Sequence, residues 1–348
     1  MYCFRKAAIF AGVALAFALA LGPGIGSSAL AAPCHLVRYG QAPISGENGY
    51  LILLPVTIDG HKAKFMVDTG GIYSTISKYA VRALGLHPQS YETGIFGADG
   101  RRFDKVVVVN EFGMGSVVSK HAILLIQPIH STTGINHFDG TIAPGLLRNF
   151  DLDFDFGGGQ FNLFGQNDCG ARAVYWSRKA GSVDFRLRNN HVVVPVTIDG
   201  ETMRAIIDTG ASGTLLSEGE ARRRFGLKPG DPGLEPVKGA KPDDLVQYTH
   251  AFKSLTIGDV TVQNPQIGIL SDDMKKAIGQ RYGGSASGSP YLFADTHDIP
   301  EVTIGLDVLS RMHIYIAYRA RTIYVTPASA GHNGIAAYRH TAVWSAGN

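Results

Sequence analysis

The chain has little cysteine, little tryptophan, no apolar run long enough for a bilayer and no large excess of either charge. Of three cysteines, Cys3 lies in the N-terminal segment expected to be removed; the remaining two cannot build a structural zinc site alone, and no CxxC or HExxH occurs. No GxSxG elbow, Walker loop or GxGxxG occurs, so the usual nucleophile and phosphate-binding signatures are missing. Of the 12 histidines, His121, His130 and His137 cluster loosely, but none sits at a metal-ligand spacing. No metal and no cofactor are expected. The net charge is +3, and the basic runs Arg101-Arg102 and Arg222-Arg223-Arg224 are scattered and free of interleaved aromatics. They read as solvated faces, and no nucleic-acid partner is expected.

The longest apolar stretch, Ala7 to Leu21, has 15 residues and follows Arg5 and Lys6. That is short of the roughly 20 residues of a membrane helix. With Gly22-Pro23-Gly24 and the small residues Ala29-Leu30-Ala31 after it, residues 1–32 read as a secretory signal. An uncleaved N-terminal anchor is the alternative. Export implies a periplasmic or secreted protein with no stable membrane anchor after cleavage. Removing Cys3 with the signal leaves Cys34 and Cys169, which in an oxidising compartment are expected to pair. Two free thiols is the other possibility.

What the sequence does have is glycine, 43 in 348 residues, breaking many short apolar runs into strand-sized pieces. It also has an internal repeat. Pro55-Val56-Thr57-Ile58-Asp59-Gly60 returns 140 positions later as Pro195-Val196-Thr197-Ile198-Asp199-Gly200. The same offset lays Asp68-Thr69-Gly70 on Asp208-Thr209-Gly210 and Ser77 on Ser217. Met114-Gly115-Ser116-Val117 pairs with Ile257-Gly258-Asp259-Val260, and Thr141 to Leu147 with Thr303 to Leu309.

The expected organisation is a first lobe at 33–165, a linker at 166–188, a second lobe at 189–327 and a tail at 328–348. In each copy, strands are expected at 50–58 and 192–198, at 64–67 and 204–207, at 105–109, 121–126, 254–257 and 314–317. Short helices are expected at 78–86 and 218–227, and Ser285 to Pro290 forms a loop that only the second copy has.

In each copy an apolar strand ends on Asp-Thr-Gly. Glycine allows two backbones to approach closely there. A pseudo-twofold axis would then bring Asp68 and Asp208 face to face. Carboxylates that close cannot both ionise cheaply and share one proton. The ionised partner can draw a proton from water, and the protonated one can polarise a carbonyl. Thr69 and Thr209 are placed to brace the turns across the interface. Ser212, four residues after Asp208, is expected to donate to its outer oxygen, which would favour ionised Asp208 and leave the proton on Asp68.

These tandem turns resemble the aspartic proteases of the pepsin and retropepsin group. Asp208-Thr209-Gly210-Ala211-Ser212 is similar to a retropepsin active-site segment. Thr303-Ile304-Gly305-Leu306-Asp307-Val308-Leu309 is similar to the family's second signature, with Gly140 to Leu147 as its first-lobe counterpart. The resemblance covers most of residues 48–327. It implies an all-β, bilobal acid-protease fold of two retropepsin-like barrels with short helices. It also implies a cleft between the lobes under flaps, placed at Gly94 to Gly100 and near Lys238 to Asp244. The implied activity is aspartic endopeptidase, with Asp68 and Asp208 catalytic, Thr69, Gly70, Thr209, Gly210 and Ser212 supporting the turns, and a peptide or protein as substrate. A monomer is expected, since one chain holds both turns; the alternative pairs each lobe with a lobe of another chain. Gly71 and Ala143 depart from the family pattern. A non-catalytic peptide-binding protein that keeps the fold therefore stands as the alternative function.

Overall fold

The computed structural model describes residues 34–45, 51–91, 103–127, 138–238, 240, 246–272 and 300–329. The signal at 1–32, the Ser285 to Pro290 loop, the first flap, most of the second flap, His130, His137 and the tail from 330 lie outside the described residues.

Each lobe starts from a β-hairpin. Leu51–Ile58 turns into His61–Val67, and His191–Ile198 into Glu201–Ile207. Both turns need two consecutive residues with positive φ, the demand of a tight turn between twisted strands. Asp59 and Gly60 adopt φ of 47° and 84°, and Asp199 and Gly200 adopt 46° and 88°. The repeated Asp-Gly is thus a backbone requirement. The second strand of each hairpin then runs parallel to a late strand, Gly140–Ile142 in one lobe and Val302–Ile304 in the other. Short strands at Thr75–Ile76 and Leu215–Ser217 cross antiparallel to those late strands. Ser77 and Ser217 then cap the helices Lys78–Ala83 and Glu218–Phe225, each hydroxyl accepting a backbone N–H at 3.0 Å and 3.4 Å respectively. The recurrence of serine at the 140-residue offset is explained by that cap.

The lobes differ in their middle strands. In the first, Lys105–Met114 and Val117–Ile126 are continuous, longer than the sequence pattern suggested, and Met114 to Phe112 fold back on Val56 to Ile58 to close a barrel. In the second lobe the same hairpin is broken into Val246–Ala251, Ser254–Ile257, Val260–Gln263 and Gln266–Leu270. The break falls at Asn264, with φ of 50°, and at Pro265, which has no N–H for the ladder.

Six antiparallel strands join the halves, in the order Gly181–Asp184, Thr322–Pro327, Met312–Ala317, Phe150–Asp155, Gln160–Gly165 and Arg38–Ser45. The link between lobes is the pairing of Ile314 with Phe154 and its neighbours. The segment between the repeats therefore contributes an edge strand as well as a connection. One apolar core runs through both lobes and includes Phe65, Phe112, Phe154, Phe161, Phe252 and Ile304. The fold is all-β and bilobal. Among the described residues, no helix is long and apolar enough to cross a membrane.

Cys34 and Cys169 form a disulfide with Cα atoms 5.3 Å apart across 135 residues of sequence. It ties the residues just before Arg38–Ser45 to the segment after Gln160–Gly165, which packs on Phe164 and Tyr315. Mass spectrometry of the native protein is expected to find neither thiol free, and two alkylatable cysteines would refute the bridge. Replacing both by serine is expected to lower the unfolding free energy by up to about 5 kcal/mol, the chain-entropy value for so long a loop.

Candidate active site

Asp68 and Asp208 each follow a strand with one buried face, just before a turn that folds back under the carboxylate. Asp68 Oδ1 accepts from Gly70 N at 3.0 Å and Gly71 N at 2.8 Å. Asp208 Oδ1 accepts from Gly210 N at 2.8 Å and Ala211 N at 3.1 Å. The two carboxyls face each other closely enough that the charge of Asp68 adds to burial in raising the pKa of Asp208. Asp208 is buried and Asp68 partly buried.

The glycines are what make the approach possible. A Cβ on Gly70 would lie 2.1 Å from Asp208 Cγ, and one on Gly210 would lie 2.5 Å from Asp68 Oδ1. Each turn thus lays its bare Cα against the other lobe's carboxylate, an arrangement only glycine permits.

Thr69 and Thr209 lock the turns to one another. Thr69 Oγ1 donates to Ile207 O at 2.8 Å and accepts from Thr209 N at 3.0 Å. Thr209 Oγ1 donates to Val67 O at 2.8 Å and accepts from Thr69 N at 3.2 Å. Both threonines are buried, so four charge-free hydrogen bonds hold the two aspartates in register without solvent competition.

Burial raises the pKa of both aspartates above the ordinary carboxylate range. For Asp208 the neighbouring Asp68 charge adds to the burial, pushing it to about 7. The pair therefore holds a proton well into the range where an isolated carboxyl would have lost it.

Ser212 is the one expected site residue that is not brought in. It is exposed, and no hydrogen bond from its side chain to Asp208 exists among the described residues. Its carbonyl accepts instead from Asp307 N at 3.2 Å, because the chain after Ala211 turns towards the short helix Leu306–Leu309. Asp208 therefore lacks the Ser212 donor that was expected to leave the shared proton on Asp68.

The two departures from the family pattern touch each other. A Cβ on Gly71 would fall 2.8 Å from Asp68 Oδ2 and 3.4 Å from the Ala143 methyl. Glycine at 71 leaves the room that alanine at 143 and the carboxylate occupy. Asp68 receives the same pair of backbone donors as Asp208 in spite of both changes.

Three supports escaped the sequence reading. Ser74 Oγ accepts from Ala143 N at 3.0 Å, and Thr214 Oγ1 accepts from Gly305 N at 3.1 Å while donating to half-buried Asp307 at 2.7 Å. Both hydroxyl residues lie six positions after their aspartate, so the repeat itself was the signal. His191 is fully buried, with Nε2 2.8 Å from the Gly70 carbonyl. The offset of 140 pairs it with Leu51, and that break in the repeat marked it. Among the described residues no cluster of His, Cys, Asp and Glu has a metal-binding donor set.

An aspartic proteinase from Irpex lacteus is similar in structure, with a TM-score of 0.46 at 13% identity over 84% of this chain and 98% of its own. A retropepsin-like aspartic protease from Rickettsia conorii is similar with a TM-score of 0.28 at 16% identity, over 43% of this chain and 94% of its own. No curated protein sequence matches the chain. The aspartyl protease family model matches twice, over residues 54–148 and 194–308, and the chain belongs to that family.

Proposed function

We propose that the chain is an aspartic endopeptidase that hydrolyses peptide bonds with water activated between Asp68 and Asp208. The observation that carries this reading is the pair of matching Asp-Thr-Gly turns, locked to each other by their threonines, each laying a bare glycine Cα against the other lobe's carboxyl. One carboxylate takes a proton from water as it attacks the scissile carbonyl. The other, protonated, donates to the carbonyl oxygen and stabilises the charge that develops there. An extended peptide lies across the pair, bound by its main chain as an added strand. Both turns come from one chain, which supports a monomer. The Cys34–Cys169 bridge supports an oxidising, extracytoplasmic compartment.

The test is digestion of a peptide library by the chain across a pH range. Activity needs one proton on the pair, and that proton leaves as pH rises through the raised pKa of about 7. Cleavage is expected from acidic pH up to near neutrality and to fall tenfold per pH unit above it. No cleavage at any pH would favour the peptide-binding alternative, and a rate that stays flat to strongly alkaline pH would overturn the shared-proton mechanism.

A further inference from the structure

Each carboxyl of the dyad accepts two backbone N–H groups of its own turn, Gly70 N–H also faces Asp208, and what stands behind the two turns differs. His191 opens the second lobe's first strand and reaches across to the first lobe's turn, with Nε2 2.8 Å from the Gly70 carbonyl oxygen. A carbonyl can only accept, so the proton of that bond sits on Nε2. The same peptide unit ends in Gly71 N–H, which donates to Asp68 Oδ1 at 2.8 Å. One continuous path therefore runs from the imidazole through the Gly70–Gly71 peptide to the carboxylate. In the second lobe the corresponding Ala211 N–H donates at 3.1 Å. Residue 51, the repeat's equivalent of His191, is leucine.

We propose that His191 is a positioning residue that fixes the Gly70–Gly71 peptide and makes Asp68 the carboxylate that carries the negative charge of the pair, leaving the proton on Asp208. The inference rests on the dyad reading above. Hydrogen bonds in series polarise one another, so a donor on the Gly70 carbonyl strengthens Gly71 N–H as a donor. A stronger donor to the ionised form holds that carboxyl ionised to lower pH. The groups facing the ring are the Gly70 carbonyl and the backbone of Arg188, its cross-strand partner. The two carboxylates of the dyad lie one peptide further on. Burial pushes the His191 pKa down, so the ring stays neutral while the dyad titrates.

The experiment is a carboxyl-carbon NMR titration of the full chain, without substrate, for the wild type, His191→Leu and His191→Gln. The leucine variant keeps the volume and loses the donor, whereas the glutamine amide can still donate to Gly70. The lower apparent pKa of the pair is expected to rise by about half a unit or more in the leucine variant and to return in the glutamine variant. The acidic limb of the cleavage profile should move with it. No shift in either variant, or the same shift in both, would overturn the proposal. The wild-type ring supplies a reading that needs no variant: its nitrogen spectrum must show the Nε2-protonated neutral form, and a proton on Nδ1 would also overturn it. A chain that cleaves nothing would sink the proposed activity and leave this titration standing. Normal cleavage with an unmoved titration would sink only the role of His191.

Discussion

Asp68→Asn and Asp208→Asn are each expected to reduce peptide cleavage by a factor of about 10³ or more while leaving the fold intact. Either change removes the one arrangement, a carboxylate beside a carboxylic acid, that can take a proton and give one in the same step. The amide is close in shape to the acid it replaces. At position 208 its oxygen can still accept from Gly210 and Ala211, so the turn keeps its bonds. Stability should move in the opposite direction to activity. A carboxyl whose pKa is raised on folding binds more protons in the folded chain than in the unfolded one. It therefore destabilises the fold progressively as pH rises from about 4, the unfolded value, to about 7, its folded value. Asparagine does not titrate. The melting temperature of Asp208→Asn, relative to the wild type, should thus climb between those two pH values and level off above. Substantial residual turnover in either variant would remove the dyad mechanism, and a flat stability difference would remove the raised pKa.

Much of this site was legible in the sequence because it is local and repeated. A strand, a tight turn and the aspartate at its end need only neighbouring residues, so their pattern survives in two copies 140 positions apart. The bracing threonines follow from the same pattern once a twofold axis is supposed. Ser212 shows where spacing alone fails. Four residues after an aspartate can lie beneath the carboxylate or outside it, and here the backbone bond to Asp307 N carries the chain outwards. The six-stranded sheet was not legible, since three of its five pairings join strands more than 100 residues apart and only two are local hairpins. His191 was hidden for a related reason. Its partner is a backbone carbonyl, which leaves no trace in residue identity.

The same sheet carries the second large expected effect, at Asp153. The strand Phe150–Asp155 alternates, with Phe150, Leu152 and Phe154 in the apolar core and Asp151, Asp153 and Asp155 on the other face. Such a run of acids on one face of a strand could have been read as a polar layer, but its partners are distant in sequence. Asp153 is fully buried and takes three donors, His313 Nε2 at 2.7 Å, Asn162 Nδ2 at 2.8 Å and Tyr175 OH at 2.8 Å. They come from the second lobe, the first lobe and the segment between them. Trp176 stacks on the His313 ring at 3.7 Å and 5°, and His313 Nδ1 lies 3.5 Å from Asp155. Asp153→Leu removes the acceptor that all three donors share and leaves the buried His313 and Asn162 donors without a replacement. A loss of about 3–5 kcal/mol is expected, the scale for breaking a buried charged network from one side. Asp153→Asn keeps one acceptor oxygen, and the tyrosine hydroxyl can reverse to accept from the amide, so about half that loss is expected. Denaturant midpoints at constant m decide the matter. A leucine variant within about 1 kcal/mol of the wild type would mean that the polar layer contributes fold geometry and little stability, as replacement of some buried ion pairs has shown it can.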